Sequence, residues 1–256
     1  MDHYIYLYYG FSSSIDKKIE LIVKNHFKGV FLFWDENFFS NVKKVREAAL
    51  DIETVHLPFE QCNELWITGS KGEEYIQKTI TAIKEAATLK IPTVIFHISS
   101  GENPPSYNQL GIDRLAKILK VCEQYQINIA LENLRRLEYL DYIYSLLHSK
   151  YLKFCFDSGH ANAFTRNIEN FPWVKYRNKL ICVHLHDNNG LYDQHLIPFT
   201  GNIDWKLLAK SLKEIGYSGP LTSEAVCFNC SLEKEEGFVR EIKAALEKID
   251  RYISSH

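Results

Sequence analysis

The feature of this sequence that most restricts its fold is a regular alternation of two residue patterns. Short runs rich in β-branched and aromatic residues, typical of strands, recur eight times, at residues 4–9, 29–34, 51–56, 92–97, 128–132, 152–157, 180–185 and 220–225. Amphipathic, charge-rich stretches with helical spacing lie between them, most clearly at residues 72–90, 111–126, 203–216 and 233–253. The alternation predicts eight strand–helix units built on a parallel sheet.

Residues at the ends of the helical stretches support this division. Asp16 or the serines before it are expected to cap the first helix, and Asp204 is expected to head the seventh. Gly216, followed by Tyr-Ser-Gly-Pro, is expected to end that seventh helix before the last strand.

The length of the chain favours a closed barrel. Eight units in 256 residues, with no break in composition and no linker, predict one domain over residues 1–256 with a single (β/α)8, or TIM, barrel. An open doubly wound sheet is the competing architecture. No glycine-rich phosphate loop follows the first strand, which removes the main reason to prefer the open sheet.

Charge and hydropathy argue against several classes of partner. The net charge is −2 and the sequence pI is about 6.6, so no broad positive field supports binding to nucleic acid. No run of 18 or more apolar residues is present, as a membrane span would require. The N-terminal residues read as a first strand and not as a signal peptide, so we expect a cytoplasmic protein.

The cysteines are expected to be free and buried. There are 6 of them, most in apolar runs, and the chain has no export signal. Cys227 and Cys230 form a C-x-x-C pair, but a structural zinc site needs a second pair of ligands at a suitable spacing. A redox or metal role for this pair is therefore not favoured.

The candidate chemistry lies where the predicted strands end. The last six strands end at or near His56, His97, Glu132, Asp157, His184 and Glu224. With 32 Asp and Glu and 10 His among 256 residues, chance is the weaker account of this series. In a barrel these strand ends converge on one mouth.

These residue types point to a bound cation. A lone histidine after an apolar run is usually just hydrogen-bonded, but a carboxylate directly after a buried strand needs a cation or a shifted pKa. Glu132 and Asp157 both stand in that position. Gly159 permits a tight turn that would bring His160 back over the mouth, and two further pairs are spaced two residues apart, at 184/186 and 193/195. Mixed imidazole and carboxylate ligands suit Zn, Mn, Fe or Co.

At these residues the chain resembles the xylose isomerase-like barrel superfamily, which holds sugar isomerases and epimerases, inosose-type dehydratases and isomerases, and endonuclease IV. The matching segments run from the third strand to the eighth: VHLPF (55–59), IFHISSG (95–101), ALENL (130–134), CFDSGHANAF (155–164), VHLHDNNG (183–190), DQHLIPFTGNIDW (193–205) and GYSGPLTSEA (216–225). The combination is specific, whereas each segment alone would be weak.

The resemblance implies a set of ligands and roles. It implies that a metal ion, with Zn or Mn first in order, is held by Glu132, Asp157, His184 and Glu224, and that Glu132 and Glu224 also act as acid and base. It implies that His160 contacts a substrate hydroxyl. Endonuclease IV holds additional metal at positions that here carry His56, His97, His160, Asp193 and His195, so more than one ion is allowed.

Two functions of different class follow. The first is a divalent-metal-dependent isomerase or epimerase of carbohydrate metabolism, acting on a small sugar, keto-polyol or sugar phosphate by proton transfer through a metal-stabilised enediolate. Arg135 and Trp66 are candidate substrate contacts, with a surface salt bridge and core packing as the favoured alternatives for them.

The rival is a zinc phosphodiesterase that cleaves abasic DNA as endonuclease IV does. The charge balance, the length and the departure from the endonuclease motif at Leu134-Arg135-Arg136 favour the isomerase. A barrel whose site has degenerated into a binding role is a third alternative. Homodimerisation is a tendency of the family that the spacing does not address.

Overall fold

The computed structural model describes residues 1–165, 168–228 and 230–255. Eight parallel strands form a closed barrel in chain order, with the last strand pairing with the first. The strands are β1 (His3–Tyr6), β2 (Gly29–Phe33), β3 (Asp51–His56), β4 (Thr93–Phe96), β5 (Asn128–Glu132), β6 (Leu152–Asp157), β7 (Leu180–Leu185) and β8 (Leu221–Ser223). The predicted (β/α)8 barrel is confirmed.

Helices alternate with these strands. They are α1 (Ile15–Lys24), α2 (Phe38–Glu47), α3 (Ser70–Thr88), α4 (Gln109–Tyr125), α5 (Glu138–Leu146), α6 (Ser158–His160), α7 (Trp173–Tyr176), α8 (Trp205–Glu214) and α9 (Glu235–Ser254). Ser14 caps α1 by accepting a hydrogen bond from the Lys17 amide, and Asp204 caps α8 by accepting from two amides. Gly216 has a φ of 73°, which suits glycine at the end of that helix.

Two strands are shorter than predicted. The first was expected to reach Tyr9 but ends at Tyr6, because residues 7 and 8 form a turn after the Leu7 amide has bonded the Phe31 carbonyl. The eighth covers only three of the six predicted residues, so Glu224 lies just beyond it. Both strands therefore stop pairing regularly at the C-terminal side of the barrel, where the strand-to-helix loops begin.

An irregularity in β3 changes which side chains enter the barrel. The register between β2 and β3 shifts so that Glu53 and Thr54 together stand opposite one residue of β2. Glu53 accepts a hydrogen bond from Thr222 of β8, which is not a neighbour of β3, so this contact crosses the interior. Strict alternation would put Glu53 and His56 on opposite faces of the strand, but the bulge lets both face inward.

The cysteine prediction is right for four residues and wrong for two. Cys62, Cys122, Cys155 and Cys182 are free and buried. Cys227 and Cys230, which we expected as thiols, form a disulfide in the segment after β8. Their Cα atoms lie 5.8 Å apart, within the range that a disulfide spans.

No helix among the described residues is long and apolar enough to cross a membrane.

Candidate metal centre

Four side chains at the ends of four consecutive strands converge at the C-terminal mouth of the barrel. They form the core group, Glu132 of β5, Asp157 of β6, His184 of β7 and Glu224 just after β8. All four are buried, and one potential ligand atom from each lies within 4.8 Å of the others. His184 Nδ1 is 3.0 Å from Glu132 Oε1 and 3.2 Å from Glu224 Oε2. The two glutamates therefore approach the same imidazole nitrogen from two sides.

Neighbouring strands hold the core group in place. Asp157 and His184 are direct partners in the β6–β7 register. Asn133, the residue after Glu132, bonds the backbone of Asp157 twice: its Nδ2 donates to the carbonyl at 2.8 Å and its Oδ1 accepts from the amide at 2.7 Å. The His184 ring stacks on Phe31 with centroids 4.6 Å apart. Backbone register and packing thus fix the positions of these side chains.

Histidines lower the pKa of two carboxylates of the core group, Glu132 and Glu224. Burial alone would raise the pKa of Glu132, but the positive charge of His184 and hydrogen bonds from His184 and His56 outweigh it and hold the pKa well below its usual range. Burial alone would lower the pKa of His184, but the negative charges of Glu224 and Glu132 raise it well above its usual value. Within the described part of the chain, every ion pair of these carboxylates is with a histidine and none is with Lys or Arg.

This donor set fits a divalent cation. Three buried carboxylates lie near one imidazole. The histidine charges that could balance them are lost when those histidines deprotonate, whereas a metal ion keeps its charge. Several buried polar atoms at the site also lack hydrogen-bond partners in the described structure, among them His184 Nε2, His186 Nδ1 and Asp193 Oδ1. Mixed oxygen and nitrogen donors suit Zn, Mn, Fe or Co.

A second group of possible ligands adjoins the core group on the β3–β4 side. His97 Nε2 lies 2.6 Å from Glu132 Oε2, and His56 Nε2 lies 3.2 Å from His97 Nε2. Burial lowers the pKa of His97 despite the neighbouring carboxylate, which favours the neutral imidazole that metals bind. His56, His97 and Glu132 could hold an ion together.

A third group lies on the β7 side and combines His186, Asp193 and His195. His195 Nε2 is 3.2 Å from Asp193 Oδ2, and the rings of His186 and His195 stack 4.0 Å apart. Burial alone would lower the pKa of His195, but the hydrogen bond that His195 donates to Asp193 raises it to about 9. Each ligand candidate from the sequence lies in or beside one of these three groups.

His160 bridges the core and third groups, although by a different route from the predicted one. Its Nε2 is 3.2 Å from Asp193 Oδ2, and its amide donates to Asp157 Oδ1 at 2.6 Å. We expected a tight glycine turn at Gly159, but residues 158–160 form a helical turn capped by Asp157. Gly159 is needed instead for space, since a Cβ there would overlap the ring of His186.

Two contributors were missed as candidate site residues. His186 was noted only for its spacing from His184, yet it is fully buried with Nε2 3.0 Å from Asp157 Oδ2. Asp187 was not considered. Its carboxylate accepts hydrogen bonds from the Phe199 and Ile203 amides and from the Trp205 indole, and so shapes the long loop that carries Asp193 and His195. Both residues belong to the HLHD tetrapeptide at 184–187, so this short polar pattern could have identified them from the sequence.

The mouth opens into a cavity of about 390 Å³ beside the core group. Its polar lining includes Glu224 and histidines, and its aromatic lining is formed by Tyr6, Tyr8, Phe33, Phe59 and Phe228. Glu132 is 1 % exposed and does not line this cavity, while Glu224 does. The two glutamates therefore differ in access to a bound molecule.

The two substrate contacts predicted on loops, Trp66 and Arg135, lie in different environments. Trp66 is placed in the core and not at the mouth, because its indole is buried against Tyr139 and donates to the Ile98 carbonyl at 2.6 Å. Arg135 lines a smaller adjoining pocket, with its guanidinium over the ring of Phe164.

The family model described as xylose isomerase-like TIM barrel matches residues 19–249. The chain belongs to the xylose isomerase-like TIM barrel family. This membership agrees with the barrel and with the strand-end positions of the core group.

Relatives of this family member span several descriptions. An uncharacterised protein of Methanocaldococcus jannaschii is 28% identical over 76% of this chain and 71% of its own length. A probable endonuclease 4 of Mycoplasma capricolum is 26% identical, over 55% of this chain and 54% of its own length.

Solved structures of sugar epimerases share the fold. A D-tagatose 3-epimerase-like protein is 25% identical, with a TM-score of 0.76 over 100% of this chain and 99% of the other. D-psicose 3-epimerase of Clostridium cellulolyticum, solved with D-tagatose, has a TM-score of 0.79 at 16% identity over 99% of each chain.

Proposed function

We propose that this protein is an isomerase or epimerase that moves a carbon-bound proton on a small sugar, keto-polyol or sugar phosphate. The observation that carries the proposal is the meeting of Glu132 and Glu224 at His184 Nδ1, at 3.0 and 3.2 Å, beside an open cavity. Two carboxylates on different strands can serve the two faces of one substrate carbon. The likeness to sugar epimerases supports the same reaction class.

The residues of the core group would hold a divalent cation, and that cation supplies polarisation of a substrate carbonyl and its neighbouring hydroxyl, which acidifies the adjacent C–H. Glu224 reaches the cavity and has a lowered pKa, because the charges of His184 and His195 outweigh the effect of burial. It is therefore ionised and placed to accept a proton from the substrate carbon. Glu132 does not line the cavity. It is oriented by His97 and His184 and would act on the opposite face of a substrate carbon that binds deeper, at the core group.

The test is proton exchange on carbon. Candidate ketoses and ketose phosphates are incubated with the metal-loaded protein in D₂O, and ¹H NMR follows loss of the proton next to the carbonyl. Glu224→Gln and Glu132→Gln should each lower the exchange rate by about 10²- to 10⁴-fold. Glu214→Gln on the surface of α8 is the matched control and should exchange at the wild-type rate. Full turnover by either mouth variant, with its metal content intact, would contradict the mechanism.

A second candidate is a phosphodiesterase that cleaves abasic DNA. It is favoured by the three adjoining ligand groups, which could hold three ions, and by the relative described as a probable endonuclease 4. Elemental analysis separates the two candidates, since about one ion per chain fits the isomerase and about three zinc ions fit the nuclease. The nuclease also requires salt-sensitive binding to an abasic duplex, and a blank gel shift at low salt would exclude it.

A further inference from the structure

A smaller pocket of about 160 Å³ adjoins the mouth cavity. Phe59, His97 and His160 line both spaces, so the two adjoin each other along these side chains. This outer pocket is otherwise formed by the segment after β4, the segment after β5 and one aromatic ring, contributed by Ser99, Ser100, Gly101, Leu134, Arg135 and Phe164. A substrate that reaches Glu224 can extend into it.

Arg135 brings a positive charge to this pocket. It is the one Arg or Lys that lines either space among the described residues. Its guanidinium carbon lies 4.0 Å from the centroid of Phe164, and Phe164 stacks on His160 with centroids 5.1 Å apart. The stack therefore places the Arg135 guanidinium one ring away from His160, whose amide donates a hydrogen bond to Asp157. Stacking on an aromatic face leaves the N–H edge of a guanidinium free to bind an anion.

The two spaces differ in their acidic residues. Glu224 and Asp193 line the mouth cavity, whereas no Asp or Glu lines the outer pocket within residues 1–165, 168–228 and 230–255. Arg135 itself makes no ion pair with any acidic residue in those ranges. The outer pocket therefore offers an anionic group of a substrate a guanidinium without a competing carboxylate.

The segment after β4 that lines the outer pocket is held in place by hydrogen bonds. Asn63 bonds the backbone of Ser100 twice, donating to its carbonyl at 3.0 Å and accepting from its amide at 2.9 Å. The two serine hydroxyls of this segment add hydrogen-bond donors, and a pocket shaped before binding loses less entropy when it is filled.

We propose that the outer pocket binds a terminal anionic group, phosphate or carboxylate, of the sugar substrate through Arg135. This inference rests on the proposed function, because it places the reacting carbon at Glu224 and the anion at the far end of the same molecule. It narrows the substrate class from small sugars in general to acidic sugars.

The experiment is calorimetric titration of the metal-loaded protein with three probes of equal chain length: D-fructose, D-fructose 6-phosphate and D-fructuronate. The wild-type protein should bind at least one of the charged sugars about 10- to 100-fold more tightly than D-fructose, as expected for a charge-assisted bidentate contact. Arg135→Gln should abolish most of that preference, measured as the ratio of the affinity for the charged sugar to the affinity for D-fructose. Arg136→Gln, the neighbouring residue that lines neither space, should keep the preference.

Each outcome has a defined meaning. Whichever charged sugar shows the preference distinguishes a phosphate from a carboxylate. A wild-type protein without any preference, or an Arg135→Gln variant that keeps it, overturns the proposed subsite. If the preference depends on Arg135 but the bound sugar exchanges no proton in D₂O, the subsite stands and the proposed reaction fails. If D-fructose exchanges as fast as the charged sugars in both proteins, the reaction stands and the subsite fails.

Discussion

Carboxyl groups lie inside both halves of this barrel, and their pKa values are shifted in opposite directions. Near the N-terminal end, Glu53 projects inward with one hydrogen bond, from Thr222, and without a nearby Lys or Arg among its described contacts. Burial raises its pKa to about 7. At the C-terminal mouth, Glu132 and Glu224 meet histidines, and the pKa of each is lowered although burial opposes this.

The comparison teaches that burial alone does not make a metal ligand. Glu53 avoids the cost of a buried charge by holding its proton, whereas the mouth carboxylates hold negative charge and need a cation. The irregular register of β3 separates the two cases, since it lets Glu53 and His56 enter the same interior at different depths. Three predictions test this difference.

The largest effect is expected on adding metal. At about 100 to 1,000 times the dissociation constant, Zn or Mn should raise the free energy of unfolding by about 2.7 to 4.1 kcal/mol, because the ion binds the folded chain. His184→Ala should lose nearly all of this gain, whereas His148→Ala on the surface should keep it. Chemical denaturation with and without metal measures both. An unchanged gain in His184→Ala would separate the metal from the core group.

The next effect is the pH dependence of stability from Glu53. Its folded pKa, about 7, lies above the ordinary glutamate value of 4.5, so the folded chain holds a proton that the unfolded chain releases between these pH values. The stabilisation is complete below about pH 4.5 and is lost as the pH rises through about 7, a change of roughly 1–3 kcal/mol for a partly buried group.

Glu53→Gln should flatten that slope while keeping an acceptor for Thr222. Urea denaturation at pH 5, 6, 7 and 8 measures it, with Glu47→Gln on α2 as the exposed control. If the stability of the variant and of the wild-type protein changes with pH by the same slope over this range, the prediction that Glu53 is protonated is wrong. The contrast between the two ends of the barrel is then weaker.

The smallest effect is expected at Trp66, outside both carboxyl environments. Trp66→Phe removes the hydrogen bond to the Ile98 carbonyl and should lower the free energy of unfolding by about 1 kcal/mol. Because the indole does not line the mouth, KM for any substrate found by the exchange assay should stay the same. A raised KM with unchanged stability would restore Trp66 as a substrate contact.

Much of the barrel and of the candidate site could be predicted from the sequence. The strand ends at Glu132, Asp157 and His184 are set by local residue patterns, and barrel closure brings such ends to one mouth whatever the details of packing. The alternation of apolar runs with amphipathic stretches was enough for the order of the elements. Ser14 and Asp204 were readable as caps, because capping depends on a few neighbouring residues.

The remaining features depend on contacts between residues distant in the sequence. The inward position of Glu53 follows from a register shift between two strands, which neither strand's sequence shows alone. Gly159 is required because the His186 ring occupies the space beside it, and Trp66 is a core residue because the Ile98 carbonyl lies within reach of its indole. The sequence by itself determined that acidic and histidine side chains end successive strands around one mouth. Only the tertiary structure decided which of them share a charge environment, since the cost of a buried charge depends on its neighbours in space.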